Sequence, residues 1–121
     1  MADVQVLVIE DSKELRDLLV EALDLAGYRV ASVGNGQEGI DYLLQNPRPN
    51  LIFLDLMMPV MNGFQFKAQL DTLPELADIP IVITSADGHV DTKLHQIGAK
   101  YYLKKPLSID DLILAVEKYS K

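Results

Sequence analysis

The stretch Leu51-Ile52-Phe53-Leu54-Asp55 consists of four apolar residues followed by one carboxylate, and Val6-Leu7-Val8-Ile9 before Glu10-Asp11 has the same form. A third apolar run ends at Ser85. Because an ionised carboxylate inside an apolar core is costly unless it is paired, these runs predict buried strands whose polar residues lie where each strand leaves the core. If the strands are parallel neighbours, the carboxylates converge into an oxygen-rich site suited to Mg²⁺.

The composition fits a single compact domain over residues 1–121, with 49% hydrophobic and 24% charged residues. No apolar stretch approaches the roughly 18 residues that span a bilayer, and the N-terminus resembles no export signal. We therefore expect a cytoplasmic protein without membrane partners. The chain has no cysteine, which excludes thiol chemistry. Its net charge of −7 disfavours direct binding of nucleic acid and makes proteins the expected partners.

Strands and helices alternate along the chain. The predicted strands cover residues 4–9, 29–33, 51–55, 81–85 and 101–103. The first predicted helix begins at Asp11–Glu14, a segment with capping-box spacing, and ends at 26. The other four predicted helices run from 36 or 37 to 45, from near 64 to 72, from 90 to 97, and from just after Ser108 to about 119. This order predicts an α/β fold, a doubly wound five-stranded parallel sheet with helices on both faces. Ligands of such sheets bind at the carboxyl ends of the strands, where the polar residues above are expected.

Each polar residue also has an ordinary structural explanation. Glu10-Asp11 could cap the first helix, since acidic residues favour a helix N-terminus. Asp55 could simply end a strand, and Ser85 and Lys105 could be unremarkable strand-end residues. These explanations do not account for complementary groups at four strand ends together.

On these residues the chain resembles, over essentially its whole length, the receiver domain of two-component response regulators (CheY-like). Glu10-Asp11 resembles the acidic pair of the family, and Asp55 resembles its phosphoacceptor. The Met58-Pro59-Val60-Met61-Asn62-Gly63 loop resembles the M-P-x-M-D/N-G motif. The resemblance implies a flavodoxin-like (βα)5 fold with strand order 2-1-3-4-5.

The later motifs of the family are matched as well. Ser85-Ala86 resembles the switch hydroxyl and its small neighbour, and Tyr102 falls at the switch aromatic. Lys105-Pro106 resembles the family's K-P pair, which usually has a cis peptide bond. The departures are Glu10 and Asn62 where Asp is common, Ser85 where Thr is common, and Leu107 where Phe often follows the proline.

The resemblance implies a phosphorylation-dependent signalling switch. Asp11, Asp55 and the backbone carbonyl of Met57 would bind Mg²⁺, with Mn²⁺ as a possible substitute and Glu10 acting through water. Asp55 would accept a phosphoryl group from a histidine kinase or phosphotransfer protein and lose it slowly to water, without acting as a turnover enzyme. Lys105 and Ser85 would then bind the phosphoryl group, while Tyr102 fills the vacated space.

The resemblance also implies a downstream protein target, which would bind the face formed by the fourth helix, the fifth strand and the last helix. Candidate contacts there are Val90, Lys93, Lys100, Tyr101 and Lys104. No effector domain follows Lys121, so we expect either a single-domain regulator or a receiver cut from a longer protein.

Three other functions are open to this sequence. Gly34-Asn35-Gly36-Gln37-Glu38-Gly39 matches the G-x-G-x-x-G dinucleotide fingerprint, but it follows the second predicted strand rather than the first. A haloacid-dehalogenase-type phosphatase would share a nucleophilic Asp, yet Met57 occupies the position of the second acid in its D-x-D motif. An inert interaction module would keep the fold without being phosphorylated.

Overall fold

The computed structural model describes residues 4–58, 60–85, 98–99 and 101–120. In chain order the elements are β1 (Val6–Ile9), α1 (Lys13–Leu25), β2 (Val30–Val33), α2 (Gly36–Gln45), β3 (Leu51–Asp55), α3 (Gly63–Leu70), β4 (Ile81–Ser85), β5 (Tyr101–Lys104) and α4 (Ile109–Tyr119). The helix predicted over 90–97 lies outside the described residues. Elsewhere the predicted bounds differ from the observed ones by two residues or fewer.

The five strands form one parallel sheet in the order β2-β1-β3-β4-β5, which confirms the predicted fold. The order reverses at β1, whose two neighbours are β2 and β3. The register pairs Ile9 with Leu54, so the residues that follow them, Glu10 and Asp55, leave the sheet side by side. The carboxylates therefore meet at the switch point where open α/β sheets bind ligands.

Both faces of the sheet are covered by helices. One face packs against α2 and α3 through Leu7, Ile9, Ile52, Leu54, Ile81 and Ile83, and the other packs against α1 and α4 through Val6, Val8, Leu51, Phe53 and Val82. Burial on both faces explains why β1 and β3 are continuous apolar runs rather than alternating ones. Polar side chains on these strands are confined to the carboxyl ends.

The first helix is capped by Ser12, not by Asp11. The Ser12 hydroxyl accepts a hydrogen bond from the Leu15 backbone N–H at 3.3 Å, so the capping box expected over Asp11–Glu14 is wrong. Glu10 does contribute to this helix start, because its Oε2 accepts the Ser12 N–H at 3.0 Å. Asp11 is thus left exposed beside the other carboxylates rather than used as the cap.

Val60, in the loop between β3 and α3, has a φ of 68° although it is β-branched. Left-handed backbone is strained for such a residue, and the side chain is 79% exposed, so little packing offsets that strain. We expect Val60→Gly and Val60→Asn to raise the free energy of unfolding by about 1 kcal/mol. Urea denaturation would measure the change, with Val60→Ile, which keeps the branch, as the neutral control. A destabilised Val60→Gly protein would contradict the assigned backbone strain.

Candidate functional site

Three carboxylates converge at the carboxyl ends of β1 and β3. Glu10, Asp11 and Asp55 each place a carboxylate oxygen within 4.8 Å of the others. Glu10 and Asp55 are buried, whereas Asp11 is exposed at the mouth of the cluster. An all-oxygen donor set that is rich in negative charge and open on one side fits a hard cation that keeps some of its water, as Mg²⁺ does.

Lys105 supplies the positive charge of this site. Its Nζ lies 2.8 Å from Glu10 Oε1 and 3.4 Å from Asp55 Oδ2. The residue follows β5 directly, and its backbone N–H donates to the Ser85 carbonyl at 2.9 Å, which ties it to the end of β4. The Lys105–Pro106 peptide bond is cis. Three carboxylates and one ammonium leave a net negative charge for a cation to neutralise.

The pKa of Asp55 is raised from 3.8 to about 7. Burial is the largest cause, and the negative charge of Glu10 adds to it. The Lys105 charge and the hydrogen bond that Met57 N–H donates to Asp55 Oδ1 at 3.2 Å act in the opposite direction but do not cancel these effects. Without a bound cation, Asp55 is therefore about half protonated near pH 7.

The neighbouring ionisable groups shift so as to favour their charged forms. Partial desolvation beside the cluster opposes ionisation of Asp11, but hydrogen bonds with Asp55 and Glu10 outweigh it and lower its pKa. Burial likewise opposes the charged form of Lys105, but the close contact with Glu10 and the charge of Asp55 raise its pKa overall. Lys105 is therefore a cation at every pH at which the carboxylates ionise.

Met57, two residues beyond Asp55, has a side chain that is 68% exposed. Its backbone N–H is used by Asp55, and its carbonyl as a metal ligand stays a prediction. The loop returns to the sheet at Gly63, whose N–H donates to the Leu56 carbonyl at 3.0 Å. A Cβ on Gly63 would lie 2.9 Å from Leu56 Cα and 3.1 Å from the Asp55 carbonyl oxygen, so only glycine allows this approach.

Two hydroxyl residues end β4, and both are buried. Ser85 is the last residue of the strand and pairs in register with Lys104, whereas Thr84 pairs with Asp55. The resemblance implies that Ser85 is the switch hydroxyl, and this role of Ser85 stays a prediction. Its predicted small neighbour, Ala86, lies outside the described residues.

Tyr102 packs, half-buried, against the core on the α2–α3 side of the sheet. The adjacent Tyr101 is 43% exposed and stacks on Tyr119 of α4, with ring centroids 5.6 Å apart. Of the predicted partner contacts, Tyr101 and Lys104 are exposed on β5. The others, Val90, Lys93 and Lys100, lie outside the described residues.

The glycine-rich segment between β2 and α2 does not form a phosphate-binding loop. The Gly34 N–H donates to Glu38 Oε1 at 2.7 Å, and the Glu38 N–H donates to Asn35 Oδ1 at 2.9 Å, so this helix start binds its own side chains. The adjoining open pocket of about 390 Å³ is lined by two carboxylates, Glu38 and Asp41, and by one cation, Arg16, so its net charge does not favour a pyrophosphate. Gly39 packs tightly, since a Cβ there would lie 2.8 Å from Ile9 Cδ1. The dinucleotide interpretation is therefore discarded.

A doubly wound parallel sheet with three carboxylates and a lysine at its switch point defines the receiver class of signalling domains. The family model described as response regulator receiver domain matches residues 6–117, and the chain belongs to this family. Members of the family act in phosphorylation-dependent two-component signalling.

Sporulation initiation phosphotransferase F of Bacillus subtilis is 30% identical over 121 residues, which cover 98% of this chain and 95% of the relative. The chain spans about half the length of several other curated relatives that it matches. Among solved structures, chemotaxis protein CheY4 of Vibrio cholerae superposes with a TM-score of 0.88 at 26% identity, covering 98% of this chain and 99% of that one.

A further structure shares the fold at 23% identity and a TM-score of 0.88, with 98% of each chain covered. It is the receiver domain of sensor histidine kinase PA1611 from Pseudomonas aeruginosa, with a magnesium ion coordinated in the active-site cleft.

Among the residues described for the present chain, none of the helices combines the length and apolar character needed to cross a bilayer.

Proposed function

We propose that residues 1–121 form a receiver domain that accepts a phosphoryl group on Asp55 from the phosphohistidine of a histidine kinase or phosphotransfer protein. The observation that carries this proposal is the convergence of Lys105 and two further carboxylates on the buried Asp55 carboxylate. Phosphoryl transfer requires a positioned nucleophile and neutralisation of the phosphoryl oxygens, and this site offers both.

The chemistry balances with the groups at hand. An Asp55 carboxylate oxygen forms the new P–O bond while the P–N bond of the phosphohistidine breaks, and the leaving imidazole nitrogen takes up a proton from water. Lys105 donates hydrogen bonds to the phosphoryl oxygens and offsets their charge. Asp11, Asp55 and the Met57 carbonyl would hold Mg²⁺, with Glu10 acting through water and Mn²⁺ as a substitute. The bound cation would neutralise charge on the transferring phosphoryl group.

The proposed readout is a change of surface. Ser85, at the end of β4, would hydrogen-bond the phosphoryl group, with Ala86 leaving room beside it, and Tyr102 would move into the space that Ser85 vacates. The stacked pair Tyr101 and Tyr119 lies next to Tyr102, so this movement would alter the exposed surface of β5 and α4. A downstream protein would read that surface, which includes Lys104.

The proposal treats the chain as a switch rather than a turnover enzyme. Rapid hydrolysis of an aspartyl phosphate requires a second acid to activate water, and the residue two positions after Asp55 is Met57. The phosphoryl group would therefore leave slowly. We also propose a cytoplasmic location and no direct binding of nucleic acid by this domain, since its net charge of −7 disfavours contact with a phosphate backbone.

Acetyl phosphate in the presence of Mg²⁺ tests the proposal directly. We expect the intact mass of the protein to rise by one phosphoryl group, and no rise when EDTA replaces the metal or when Asp55→Asn replaces the wild type. Glu75→Gln, an exposed carboxylate far from the cluster, should be phosphorylated as the wild type is. A folded wild-type protein that binds Mg²⁺ but gains no mass would favour an inert interaction module instead.

A further inference from the structure

Glu10 lies closer to Lys105 than Asp55 does. The Nζ–Oε1 distance to Glu10 is 2.8 Å, whereas the Nζ–Oδ2 distance to Asp55 is 3.4 Å. At an equal effective dielectric constant, the Coulomb attraction to Glu10 is stronger by about a fifth. On these distances Lys105 is bound chiefly by Glu10 before any phosphorylation.

The Glu10 carboxylate is fixed in the orientation that meets Lys105. Its Oε2 accepts the Ser12 N–H at 3.0 Å, and its backbone carbonyl accepts a hydrogen bond from Arg16 Nη1 at 2.9 Å. The other oxygen, Oε1, is buried and makes no well-directed hydrogen bond within the described part of the chain. Lys105 is the cation in direct contact with Oε1, at 2.8 Å.

The length of the Glu10 side chain matters for this contact. Lys105 follows β5, and two strands, β3 and β4, separate β5 from β1 in the sheet. An aspartate at position 10 would be shorter by one methylene group and would withdraw its oxygens from Lys105. Position 10, where Asp is commoner in the family, thus holds a glutamate that forms the shortest ion pair of the site.

We propose that Glu10 is a positioning residue that holds Lys105 in the metal-free, unphosphorylated protein and releases it to the phosphoryl oxygens when Asp55 is modified. This inference rests on the proposed function. Moving Lys105 leaves a buried carboxylate unpaired, which is costly unless a cation or its water takes the place of Nζ.

Double-mutant cycles in EDTA test the metal-free contact without any phosphorylation. Urea denaturation at pH 8 would compare Glu10→Gln, Lys105→Met and the double variant, and then Asp55→Asn, Lys105→Met and their double variant. We expect the Glu10–Lys105 pair to show a coupling of at least about fivefold in the unfolding equilibrium constant, and the Asp55–Lys105 pair to show a smaller coupling. Equal or stronger coupling between Asp55 and Lys105 would overturn the inference.

Phosphorylation kinetics test the release, and they remain informative if Lys105→Met does not fold. The rate of mass gain from acetyl phosphate would be measured against Mg²⁺ concentration for the wild type, Glu10→Gln and Glu10→Asp. We expect both variants to need more Mg²⁺ for half-maximal rate, but to reach a maximal rate about three to ten times higher, because Lys105 is no longer held by Glu10. A maximal rate that is unchanged or lower would refute the release.

The two tests separate the inference from the proposed function. A wild-type protein that never gains a phosphoryl group would refute the proposed function and with it the release step, whereas the cycle in EDTA would still decide which carboxylate holds Lys105. A wild type that is phosphorylated, with weak Glu10–Lys105 coupling, would refute the inference alone.

Discussion

Asp55→Asn should raise the free energy of unfolding of the metal-free protein by about 1 to 3 kcal/mol at pH 8. The pKa of Asp55 is about 7 in the folded protein and 3.8 ordinarily, so ionising Asp55 at pH 8 costs the folded protein at most about 4 kcal/mol. Asparagine removes that charge while its side-chain oxygen still accepts the Met57 N–H. The lost partner is Lys105, which keeps its shorter contact with Glu10.

The sign of the pH dependence follows from the direction of each pKa shift. Between about pH 4 and 7 the folded protein holds a proton on Asp55 that the unfolded chain has released, so the stability of the wild type falls as pH rises through this window. The lowered pKa of Asp11 makes stability depend on pH only below 3.8, because its stabilising contribution is fully present above that pH. The raised pKa of Lys105 makes stability depend on pH only above 10.5. Asp55→Asn should therefore flatten the profile between pH 4 and 7.

Urea denaturation in EDTA at pH 5 and pH 8 measures both effects. The gain from Asp55→Asn should be large at pH 8 and small at pH 5. The control is Glu21→Gln, which removes an exposed carboxylate on α1 and should change stability by no more than about 0.5 kcal/mol. An Asp55→Asn protein that is less stable than the wild type at pH 8 would show that the buried carboxylate is well compensated without a metal.

Apolar runs predicted the fold because burial on both faces leaves a strong local signal. The strands that contain Phe53 and Ile83 were predicted with the bounds that the structure shows, and the sheet order is the expected one. The sequence signal for β2 is weaker, because β2 is an edge strand with Ser32 exposed. The observed strand begins at Val30, whereas the predicted strand began at Arg29. The rule that ligands bind at the carboxyl ends of parallel strands likewise predicted that Glu10 and Asp55 lie together.

Contacts that depend on exact distances were not accessible from the sequence. Which carboxylate holds Lys105 depends on the reach of three side chains across the ends of β3 and β4, and no residue pattern encodes the difference between 2.8 and 3.4 Å. The positive φ of Val60 could not be predicted from the sequence either, because valine rarely adopts left-handed backbone. Ser12 caps the first helix in place of Asp11 through its own bond to the Leu15 N–H, and the capping-box spacing did not distinguish these adjacent residues.

Gly63→Ala should destabilise the protein by about 2 to 3 kcal/mol, although alanine has the higher helix propensity and Gly63 is the first residue of α3. The added Cβ would lie 2.8 Å from Leu56 Cδ2 and 2.9 Å from Leu56 Cα. The second of these contacts involves main chain, which cannot rotate away as a side-chain end can. Relief therefore requires the end of β3 to move, and Asp55 moves with it.

The matched control for that variant is Gly34→Ala. Its added Cβ would lie 3.1 Å from Arg16 Nη1 and from Glu38 Oε1, both of which are ends of flexible side chains, so we expect a change within about 1 kcal/mol. Urea denaturation would rank the two variants, and the mass gain from acetyl phosphate would report on the site. Gly63→Ala should be phosphorylated more slowly than Gly34→Ala even where both are folded, because only Gly63 abuts the strand end that carries the acceptor. Equal rates in the two variants would show that the position of Asp55 does not depend on this contact.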